Sequence, residues 1–310
     1  MKKTPIIILT GPTAVGKTTL SIDLSKELNA EIISADSMQI YRHMDIGSAK
    51  VTIKEMDGVK HYLIDEVNPD YTFSVSEFQD RANNYIEDIN NKGKKVLVAG
   101  GTGLYLNSLI YNMDFAKSDA DSELREKLRL ELEEHGIDYM HNKLMKLDKD
   151  SADRIHKNNT KRVIRALEVA LSGKKMNDFS NDLKFNDKYQ PIIIVLNRDR
   201  EYLYQRINKR VDIMMESGLI DEVKNLLDMG YTKDNISMQG IGYKEIIKYL
   251  EGEYELEEAI EIIKRDSRRY AKRQLTWFRR YEHAKWFDLD SYNDSKILKD
   301  DIIMYIENML

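Results

Sequence analysis

The stretch Pro5-Ile6-Ile7-Ile8-Leu9-Thr10-Gly11-Pro12-Thr13-Ala14-Val15-Gly16-Lys17-Thr18 decides the fold that this chain can adopt. An apolar, β-branched run stops at Gly11, and a loop of the pattern G-x-x-x-x-G-K-[ST] leads into residues 20–28, which have helical periodicity. In such a loop, backbone N–H groups converge on an anion at the positive end of the following helix. Lys17 adds a mobile charge, and the Thr18 hydroxyl is suited to ligate Mg²⁺ between phosphate oxygens. The stretch therefore predicts a phosphate-binding loop between a central strand and a helix.

The composition excludes several classes of protein. The chain has 310 residues, 42% of them hydrophobic and 33% charged, with a formal net charge of −5 and no cysteine. Disulfides and thiolate metal sites are thus excluded, and the net charge gives no global indication of a nucleic-acid partner. The apolar run after Met1-Lys2-Lys3 is short and forms the first strand, and no other run approaches membrane-spanning length. We therefore expect a soluble, cytoplasmic protein with an ample core and no membrane association.

Two further strands lead to polar residues at the same edge of the predicted sheet. Residues 31–34 form a short buried run that ends at Asp36, and residues 94–99 form a second run followed by Gly100-Gly101-Thr102-Gly103. The carboxyl ends of parallel strands face the ligand crevice, so Asp36 and Thr102 are expected beside the phosphate loop. The glycines suggest close approach to a ligand, and the aperiodic residues 40–50 are predicted to form a loop over the site.

The alternation of strands and helices stops in the middle of the chain. Between residues 117 and 187 the sequence predicts only helices, with breaks at Gly136 and Gly173. The sheet then resumes at residues 191–196, and the helices that follow are predicted at 200–216, 219–229, 256–280 and from 295 onward. We predict an α/β fold: a parallel sheet core like that of P-loop NTPases, residues 1–116 and 188–310, with C-terminal helices packed on it. Residues 117–187 are predicted to form an inserted helical subdomain.

A basic stretch near the C-terminus is the second strong feature. Residues 264–281 hold eight Lys or Arg against one Asp. One helix face would carry Arg265, Arg269, Lys272, Thr276 and Arg279. The alternative is an ordinary solvated face, but such a face would be expected to interleave acids. The stretch thus favours a surface for a polyanion, with Trp277 and Phe278 interpreted as core residues.

Smaller clusters have two interpretations each. Lys161-Arg162-Val163-Ile164-Arg165 is either a solvent-facing or a functional segment of the helical insert. Arg206 and Arg210 share a helix face and either reach a bound phosphate or pair with Glu201 or Asp212. The glycine turn at residues 238–245 is by itself a weak anion signal.

Six ordered segments resemble the motifs of tRNA dimethylallyltransferases, and the likeness covers essentially the whole chain. They are Gly11-Pro12-Thr13-Ala14-Val15-Gly16-Lys17-Thr18, Ser34-Ala35-Asp36-Ser37-Met38-Gln39-Ile40-Tyr41, Ala99-Gly100-Gly101-Thr102-Gly103-Leu104-Tyr105, Lys161-Arg162-Val163-Ile164-Arg165-Ala166-Leu167-Glu168, Gln239-Gly240-Ile241-Gly242-Tyr243-Lys244-Glu245 and Lys272-Arg273-Gln274-Leu275-Thr276-Trp277-Phe278-Arg279. Some members carry a zinc-finger extension, and with zero cysteines in this sequence we do not expect one here.

The resemblance implies a reaction. A dimethylallyl group would pass from dimethylallyl diphosphate to the exocyclic amino group of the adenine 3′-adjacent to the anticodon in tRNA, releasing diphosphate. The diphosphate would bind the loop formed by Gly11, Pro12, Thr13, Ala14, Val15, Gly16, Lys17 and Thr18, with Mg²⁺ at Thr18. Asp36 would be the general base, Thr102 would contact the target base or the departing diphosphate, and Lys17 and Arg210 would stabilise the leaving group. The adenine must leave its stack, so base flipping is implied.

The resemblance also implies which residues contact the tRNA anticodon arm. They are Asp36, Ser37, Met38, Gln39, Thr102, Arg125, Lys161, Arg162, Val163, Ile164, Arg165, Gly240, Gly242, Tyr243, Lys244, Lys272, Arg273, Gln274, Thr276, Trp277 and Arg279. We expect the chain to act as a monomer.

Two alternatives use the same loop, which by itself is typical of ATP-binding proteins. In a small-molecule or nucleotide kinase, Asp36 would deprotonate a hydroxyl and the insert would be a mobile lid. Such an enzyme does not require the basic C-terminal helix. An RNA-binding ATPase switch would need an acidic residue after strand 96–99, where glycines stand instead.

Overall fold

The strands form one parallel sheet in the computed structural model, which describes residues 3–113, 115, 122–173 and 183–310. Within these residues, six strands lie in the order β3-β2-β4-β1-β5-β6. They are β1 (Thr4–Thr10), β2 (Ala30–Ser34), β3 (His61–Tyr62), β4 (Lys95–Gly100), β5 (Tyr189–Asn197) and β6 (Lys285–Asp288). Every pair is parallel, which confirms the predicted α/β sheet core.

The central position of β1 follows from its sequence. Ile6, Ile7, Ile8 and Leu9 are all at most 1% exposed, as expected for a strand that is covered on both faces. β1 pairs with β4 on one side and with β5 on the other. The loops after β1, β2, β4 and β5 therefore emerge at one edge of the sheet.

Helices cover this sheet and extend the chain to its C-terminus. In chain order they are α1 (Lys17–Leu28), α2 (Ile53–Met56), α3 (Val75–Asn91), α4 (Gly103–Ile110), α5 (Ser122–Leu147), α6 (Lys149–Arg154), α7 (Thr160–Leu171), α8 (Arg200–Glu216), α9 (Leu219–Asp228), α10 (Tyr243–Leu250), α11 (Leu256–Phe278) and α12 (Ser295–Met309). The terminal helix buries Leu298, Ile302 and Ile306 in the same cluster as Leu20 and Leu24 of α1. This spacing of four residues places the three side chains on one helix face.

The chain separates into two compact units, Met1–Tyr111 with Phe185–Leu310, and Asn112–Lys184. The second unit has its own core of Leu128, Met140, Leu144, Ala152, Ile155, Val163, Ala166 and Leu167. Gly136 leaves helical dihedrals inside α5, so the helix break expected there is present. The predicted boundary between residues 116 and 117 lies outside the described residues.

Two short elements were not predicted, α2 and β3. They have four and two residues, too few to produce a periodic pattern. β3 nevertheless contacts a buried carboxylate, because Glu31 accepts hydrogen bonds from the Tyr62 hydroxyl at 2.6 Å and from the partly exposed Lys94 at 2.7 Å. Burial raises the pKa of Glu31, but the hydrogen bonds from Lys94 and Tyr62 outweigh it and lower the pKa to about 2.

None of the helices in the described part of the chain is long and apolar enough to cross a membrane.

Candidate active site

The phosphate loop has the backbone of an anion site at the start of α1. Gly11 has φ +152°, and a Cβ there would lie 2.6 Å from the Leu196 carbonyl oxygen, so only glycine fits between β1 and β5. Among the described residues no side chain caps α1, and its first turn contains no acid. The first N–H groups of this helix thus remain available to an anion, where the helix dipole also favours negative charge.

Not every amide of the loop serves an anion. Thr13 N–H donates to Gln274 Oε1 at 2.8 Å, and Val15 N–H donates to the Pro12 carbonyl at 3.3 Å. The sequence-based expectation of successive converging amides therefore applies to the Gly16 to Thr18 end of the loop. The Thr18 side chain is exposed there, which leaves its hydroxyl accessible.

Three cations surround the loop. Lys17 Nζ donates to the carbonyls of Gly11 (2.8 Å) and Pro12 (2.9 Å). Arg206 Nε donates to the Ala14 carbonyl at 2.9 Å, and an Arg210 guanidinium N–H lies 3.4 Å from Thr13 Oγ1. The sequence left open whether Arg206 and Arg210 reach a phosphate or pair with acids on the helix surface. The structure directs both toward the loop.

These cations are crowded enough to perturb one another. Burial, and then the charge of Arg210, lower the pKa of Lys17 from 10.5 to about 7, while Asp36 opposes the shift. Burial and the charge of Arg206 likewise lower the pKa of Arg210. A bound anion would relieve both effects, so the electrostatics of the loop favour a phosphate ligand.

Asp36 and Thr102 lie together, as the sequence predicted from the ends of β2 and β4. The Asp36 carboxylate accepts a hydrogen bond from Met38 N–H at 2.9 Å. Thr102 Oγ1 accepts one from Ser37 N–H at 3.1 Å, and Thr102 N–H donates to the Ala35 carbonyl at 3.0 Å. The segment carrying Asp36 is thus held to the loop after β4, close enough for its charge to act on Lys17 and Arg210.

Gln274 bridges the phosphate loop and the loop after β4. Its side chain is 5% exposed, its Oε1 accepts from Thr13 N–H at 2.8 Å, and its Nε2 donates to the Gly101 carbonyl at 2.9 Å. A Cβ on Gly101 would lie 2.3 Å from this Nε2, so the glycine admits the protein's own amide rather than a ligand. Sequence reasoning had placed Gln274 among the tRNA contacts. Because its side chain is buried and hydrogen-bonded to both loops, it instead joins the phosphate loop to the loop after β4.

Burial and the Asp36 charge also affect an α11 residue that sequence reasoning passed over. Tyr270 has its pKa raised to about 12, by burial first and by Asp36 second, against a hydrogen bond with Thr102. Its phenol therefore stays neutral beside the Asp36 and Thr102 pair.

The loop of residues 40–50 is irregular, as expected, and a buried lysine anchors it. Lys50 Nζ donates to the Tyr41 carbonyl at 2.7 Å, to Asp45 at 2.6 Å and to Asp65 at 2.5 Å. Its side chain is 4% exposed. Gln39 closes the start of the same loop by donating to the Ala49 carbonyl at 3.3 Å.

The side chain of Glu222, on α9, binds the backbone in the middle of this loop. Its two oxygens accept from the N–H groups of Asp45 (2.8 Å), Ile46 (2.7 Å) and Gly47 (3.0 Å), and from the Tyr243 hydroxyl at 2.7 Å. Three of these four hydrogen bonds come from backbone N–H groups, so the carboxylate fixes the backbone of residues 45–47. We name this contact the Glu222 clamp. Its sequence signal was absent, since residues 222 and 45 are far apart in the chain.

The glycine turn before α10 contacts the Asp36 segment but buries its aromatic residue. A Cβ on Gly240 would lie 2.6 Å from Met38 Cε, so the turn packs directly on that side chain. Tyr243 is 0% exposed, and burial followed by the Glu222 charge raises its pKa. The expectation that Tyr243 contacts tRNA is therefore corrected: its side chain supports the 40–50 loop from inside. Lys244 remains partly exposed and lies 3.5 Å from Glu245.

The basic stretch of residues 264–281, most of which lies in α11, divides into two halves. In the first half Asp266 accepts from Arg265 and Arg269, and Lys264 pairs with Asp212 at 2.8 Å. These ion pairs favour the interpretation as an ordinary helix surface for this half. In the second half, Lys272, Arg273, Arg279 and Arg280 are exposed and form no ion pair with any described residue. The predicted surface for a polyanion is therefore restricted to residues 272–280 and stays a prediction.

Of the two aromatic residues interpreted as core, Phe278 is buried and Trp277 is only partly buried. Phe278 is 0% exposed. Trp277 is partly buried, donates from Nε1 to Asn107 at 3.3 Å, and has its ring against Gly103. Neither ring is positioned as a free platform for base stacking.

The cluster in the insert is also divided. Glu168, 6% exposed, accepts from Arg125 at 2.9 Å and from Arg165 at 3.0 Å. Burial raises the pKa of Glu168, but the hydrogen bonds from Arg125 and Arg165 outweigh it and lower the pKa. Val163 is 1% exposed and Ile164 packs on the same core. Direct tRNA contact is therefore corrected for Val163, and Lys161 and Arg162 are the exposed cations of this segment.

Protein acids do not form a metal cage in the part of the chain that the structure describes, because no three His, Cys, Asp or Glu side chains converge. Mg²⁺ is commonly held by one or two protein oxygens together with phosphate oxygens and water. The exposed Thr18 hydroxyl at the loop fits that mode.

Comparison with known proteins finds matches to most of the chain. Residues 39–281 match the family model described as IPP transferase. A tRNA dimethylallyltransferase of Clostridioides difficile (strain 630) is 76% identical over 310 residues, which cover 100% of both chains. A tRNA dimethylallyltransferase of Alkaliphilus oremlandii (strain OhILAs) is 58% identical over 98% of this chain and 97% of its own.

Solved structures match this chain over nearly its whole length. A tRNA isopentenylpyrophosphate transferase of Bacillus halodurans has 46% identity and a TM-score of 0.74, covering 99% of this chain and 98% of its own. A eukaryotic dimethylallyltransferase, described as acting on tRNA, has 31% identity and a TM-score of 0.82, covering 97% of this chain and 78% of its own.

Proposed function

The chain belongs to the IPP transferase family, and we propose that it transfers a dimethylallyl group from dimethylallyl diphosphate to the exocyclic amino group of the adenine 3′-adjacent to the anticodon in tRNA. One observation carries the proposal. The N-terminus of α1, with three cations around its loop, lies beside a carboxylate on the neighbouring loop.

The reaction breaks a carbon–oxygen bond and forms a carbon–nitrogen bond. The amino nitrogen supplies the electron pair for the new bond, and the diphosphate oxygen leaves with the pair of the old one. Asp36 accepts the proton that the nitrogen loses, since a neutral exocyclic amine is a weak nucleophile. Lys17 and Arg210 lie at the loop that receives the diphosphate, where they stabilise the charge that develops on it.

Thr102 positions the general base, Asp36, and does not itself exchange a proton. Its hydroxyl oxygen accepts from Ser37 N–H, and its backbone binds Ala35, so it holds the two residues on either side of Asp36. Gln274 ties the same loop to Thr13. The proton acceptor and the leaving-group site are thereby held in one geometry, which is the entropic part of catalysis.

Mg²⁺ is proposed as the cofactor, with Thr18 as its protein ligand. When bound, it would neutralise the diphosphate and assist its departure. The residues of the chain then bind and orient the two substrates, and the tRNA contacts are proposed for the exposed cations of residues 272–280 together with Lys161 and Arg162. We propose that the protein acts as a monomer.

The test is transfer of label. Radiolabelled dimethylallyl diphosphate and unmodified tRNA are incubated with the protein, without ATP. The tRNA should become labelled, and digestion should place the label on the adenine after the anticodon. Labelling that requires ATP, or no labelling of tRNA, would overturn the proposal in favour of a kinase or another transferase.

Asp36→Asn tests the base. Turnover should fall by about 10²-fold or more, while tRNA binding persists. Asp23→Asn, at an exposed carboxylate of α1, is the matched control and should retain the wild-type rate. Equal rates for the two variants would exclude Asp36 as the base.

A further inference from the structure

A cavity of about 370 Å³ lies between the β5–α8 turn and the exposed face of α11. The lining residues that matter here are Arg200, Leu203, Tyr204, Lys272, Leu275 and Arg279. It adjoins the phosphate loop, because Arg198 Nε donates to the Val15 carbonyl at 3.1 Å. Its volume is at the lower end of the usual range for small-ligand sites, about 300–1,000 Å³.

The rim of the cavity is positively charged. Arg198, Arg200, Lys272 and Arg279 face one acid, Asp199. Asp199 is already used, since its carboxylate caps α8 by accepting from the N–H groups of residues 201 and 202. Asp290 neutralises Arg198 at 2.6 Å. Within the described ranges, Arg200, Lys272 and Arg279 form no ion pair, so three cations remain for an external anion.

The inner wall of the cavity is apolar and partly aromatic. Leu203 is 1% exposed, and Leu275 and Tyr204 are partly buried against the core. The Arg200 guanidinium lies over the Tyr204 ring, 5.3 Å from its centroid. The side chains are therefore more buried at the inner wall than at the charged rim. This apolar inner wall suits a flat apolar ring.

We propose that this cavity binds one unstacked nucleotide of the RNA substrate, other than the target adenine. The phosphate lies among Arg200, Lys272 and Arg279, and the base lies against Tyr204 and Leu275. The inference rests on the proposed function, because it takes tRNA as the substrate. It adds the β5–α8 turn, with Arg200 and Tyr204, as a second wall of the RNA site.

The chemistry favours RNA over a second free diphosphate. A diphosphate has no apolar surface that could pack on the inner wall of the cavity. The α1 terminus with Lys17 already provides a site for a diphosphate. RNA loops are recognised through unstacked bases on aromatic rings combined with phosphate contacts to Arg and Lys. The cavity presents both parts side by side.

The test uses the full chain and a fluorescently labelled, unmodified anticodon-arm hairpin RNA, followed by anisotropy over a series of salt concentrations. Arg200→Gln should weaken binding on the order of tenfold at low salt. It should also make the slope of log K against log salt shallower by about 0.7–0.9, the value for one phosphate contact. Tyr204→Leu should weaken binding by about fivefold or more with the slope unchanged, because it removes stacking but no charge.

Lys209→Gln is the matched control, an exposed cation on the same helix α8 that does not line the cavity. It should leave both affinity and slope near the wild-type values. Inorganic diphosphate binding, measured by calorimetry, should be the same in Arg200→Gln and wild type. If Arg200→Gln matches Lys209→Gln, or if it loses diphosphate affinity in step with RNA affinity, the nucleotide site is refuted.

These outcomes are separable from the proposed reaction. RNA binding is measured without dimethylallyl diphosphate, so an absence of transfer by the wild type refutes the reaction and leaves the binding result standing.

Discussion

Replacing Glu222 by glutamine should release the 40–50 loop and slow the enzyme without touching the phosphate loop. In the Glu222 clamp, Oε2 accepts from the N–H groups of Asp45 and Ile46, and Oε1 accepts from Gly47 N–H and the Tyr243 hydroxyl. A glutamine amide has only one acceptor oxygen. Whichever way it is oriented, its NH₂ group faces protein donors.

The expected magnitude follows from that geometry. Hydrogen bonds to a charged group contribute about 1.5–3 kcal/mol each, and two of the four are lost. The Tyr243 hydroxyl can rotate to become an acceptor, so the amide is expected to place its NH₂ near it and recover part of the loss. We expect the free energy of unfolding to fall by about 2–4 kcal/mol.

Three measurements check this. Urea unfolding gives the stability loss, and amide hydrogen exchange should become faster at residues 45–47, while exchange in residues 16–20 stays unchanged. In the transfer assay, kcat/KM for tRNA should fall, whereas the affinity for inorganic diphosphate should not. The Met38 side chain packs on Gly240 and Met38 N–H binds Asp36, so loosening this region reaches the base but not the anion site.

Matched variants separate the clamp from a general loss of stability. Tyr243→Phe removes one hydrogen bond to the Glu222 carboxylate and should cost about 1.5–3 kcal/mol. The double variant with Glu222→Gln should be destabilised by at least the sum of the two, because phenylalanine also removes the acceptor that the glutamine NH₂ would use. Asp221→Asn, at an exposed neighbouring carboxylate, should have no effect. Wild-type exchange at residues 45–47 in Glu222→Gln would refute the clamp.

Three further perturbations test other contacts. Gln274→Leu should lower the free energy of unfolding by about 2–3 kcal/mol, because it leaves the Thr13 N–H and the Gly101 carbonyl without their hydrogen-bond partner. Gly101→Ala displaces the same amide, so combining it with Gln274→Leu should add little. Fully additive losses in denaturant unfolding would contradict the bridge. The folded-state pKa of Glu31 is about 2, below its ordinary 4.5, so its contribution to the free energy of unfolding is complete above pH 4.5 and is lost as the pH falls toward 2. Glu31→Gln should lower the free energy of unfolding by about 2 kcal/mol at neutral pH. It should also make that free energy less dependent on pH between 2 and 4.5. Removing charge at Arg273 and Arg279 together should make the salt slope of tRNA binding shallower by about 1–2, and an unchanged slope would return α11 to an ordinary surface helix.

Contiguous patterns were sufficient for the core of the fold. The β-branched run before Gly11 and the glycines and Lys17 after it specify a strand, an anion loop and a helix from nearest neighbours alone. The edge position of Asp36 and Thr102 followed from one rule about parallel strands. The family also followed from sequence, because six motifs in order are local features that tertiary structure does not alter.

The charged residues show what sequence could not determine. Arg125, Arg162 and Arg165 look equivalent in a list of cations, yet two of them bind Glu168 and only Arg162 is exposed. The basic run of α11 likewise splits because Asp266 pairs with two neighbouring arginines and Asp212 of α8 pairs with Lys264. A charge is available to a ligand only if no partner is folded against it, and those partners come from other turns or other helices.

The sequence by itself therefore determined the phosphate loop, the parallel sheet and the family, because each is encoded in short contiguous segments whose backbone chemistry is local. The tertiary structure decided that Gln274 joins Thr13 to Gly101, that Glu222 holds the 40–50 loop, and that Arg200 meets α11 across a cavity. Each of these contacts joins residues far apart in the chain. Their distances depend on how helices pack on the sheet, which the pattern of any single segment does not encode.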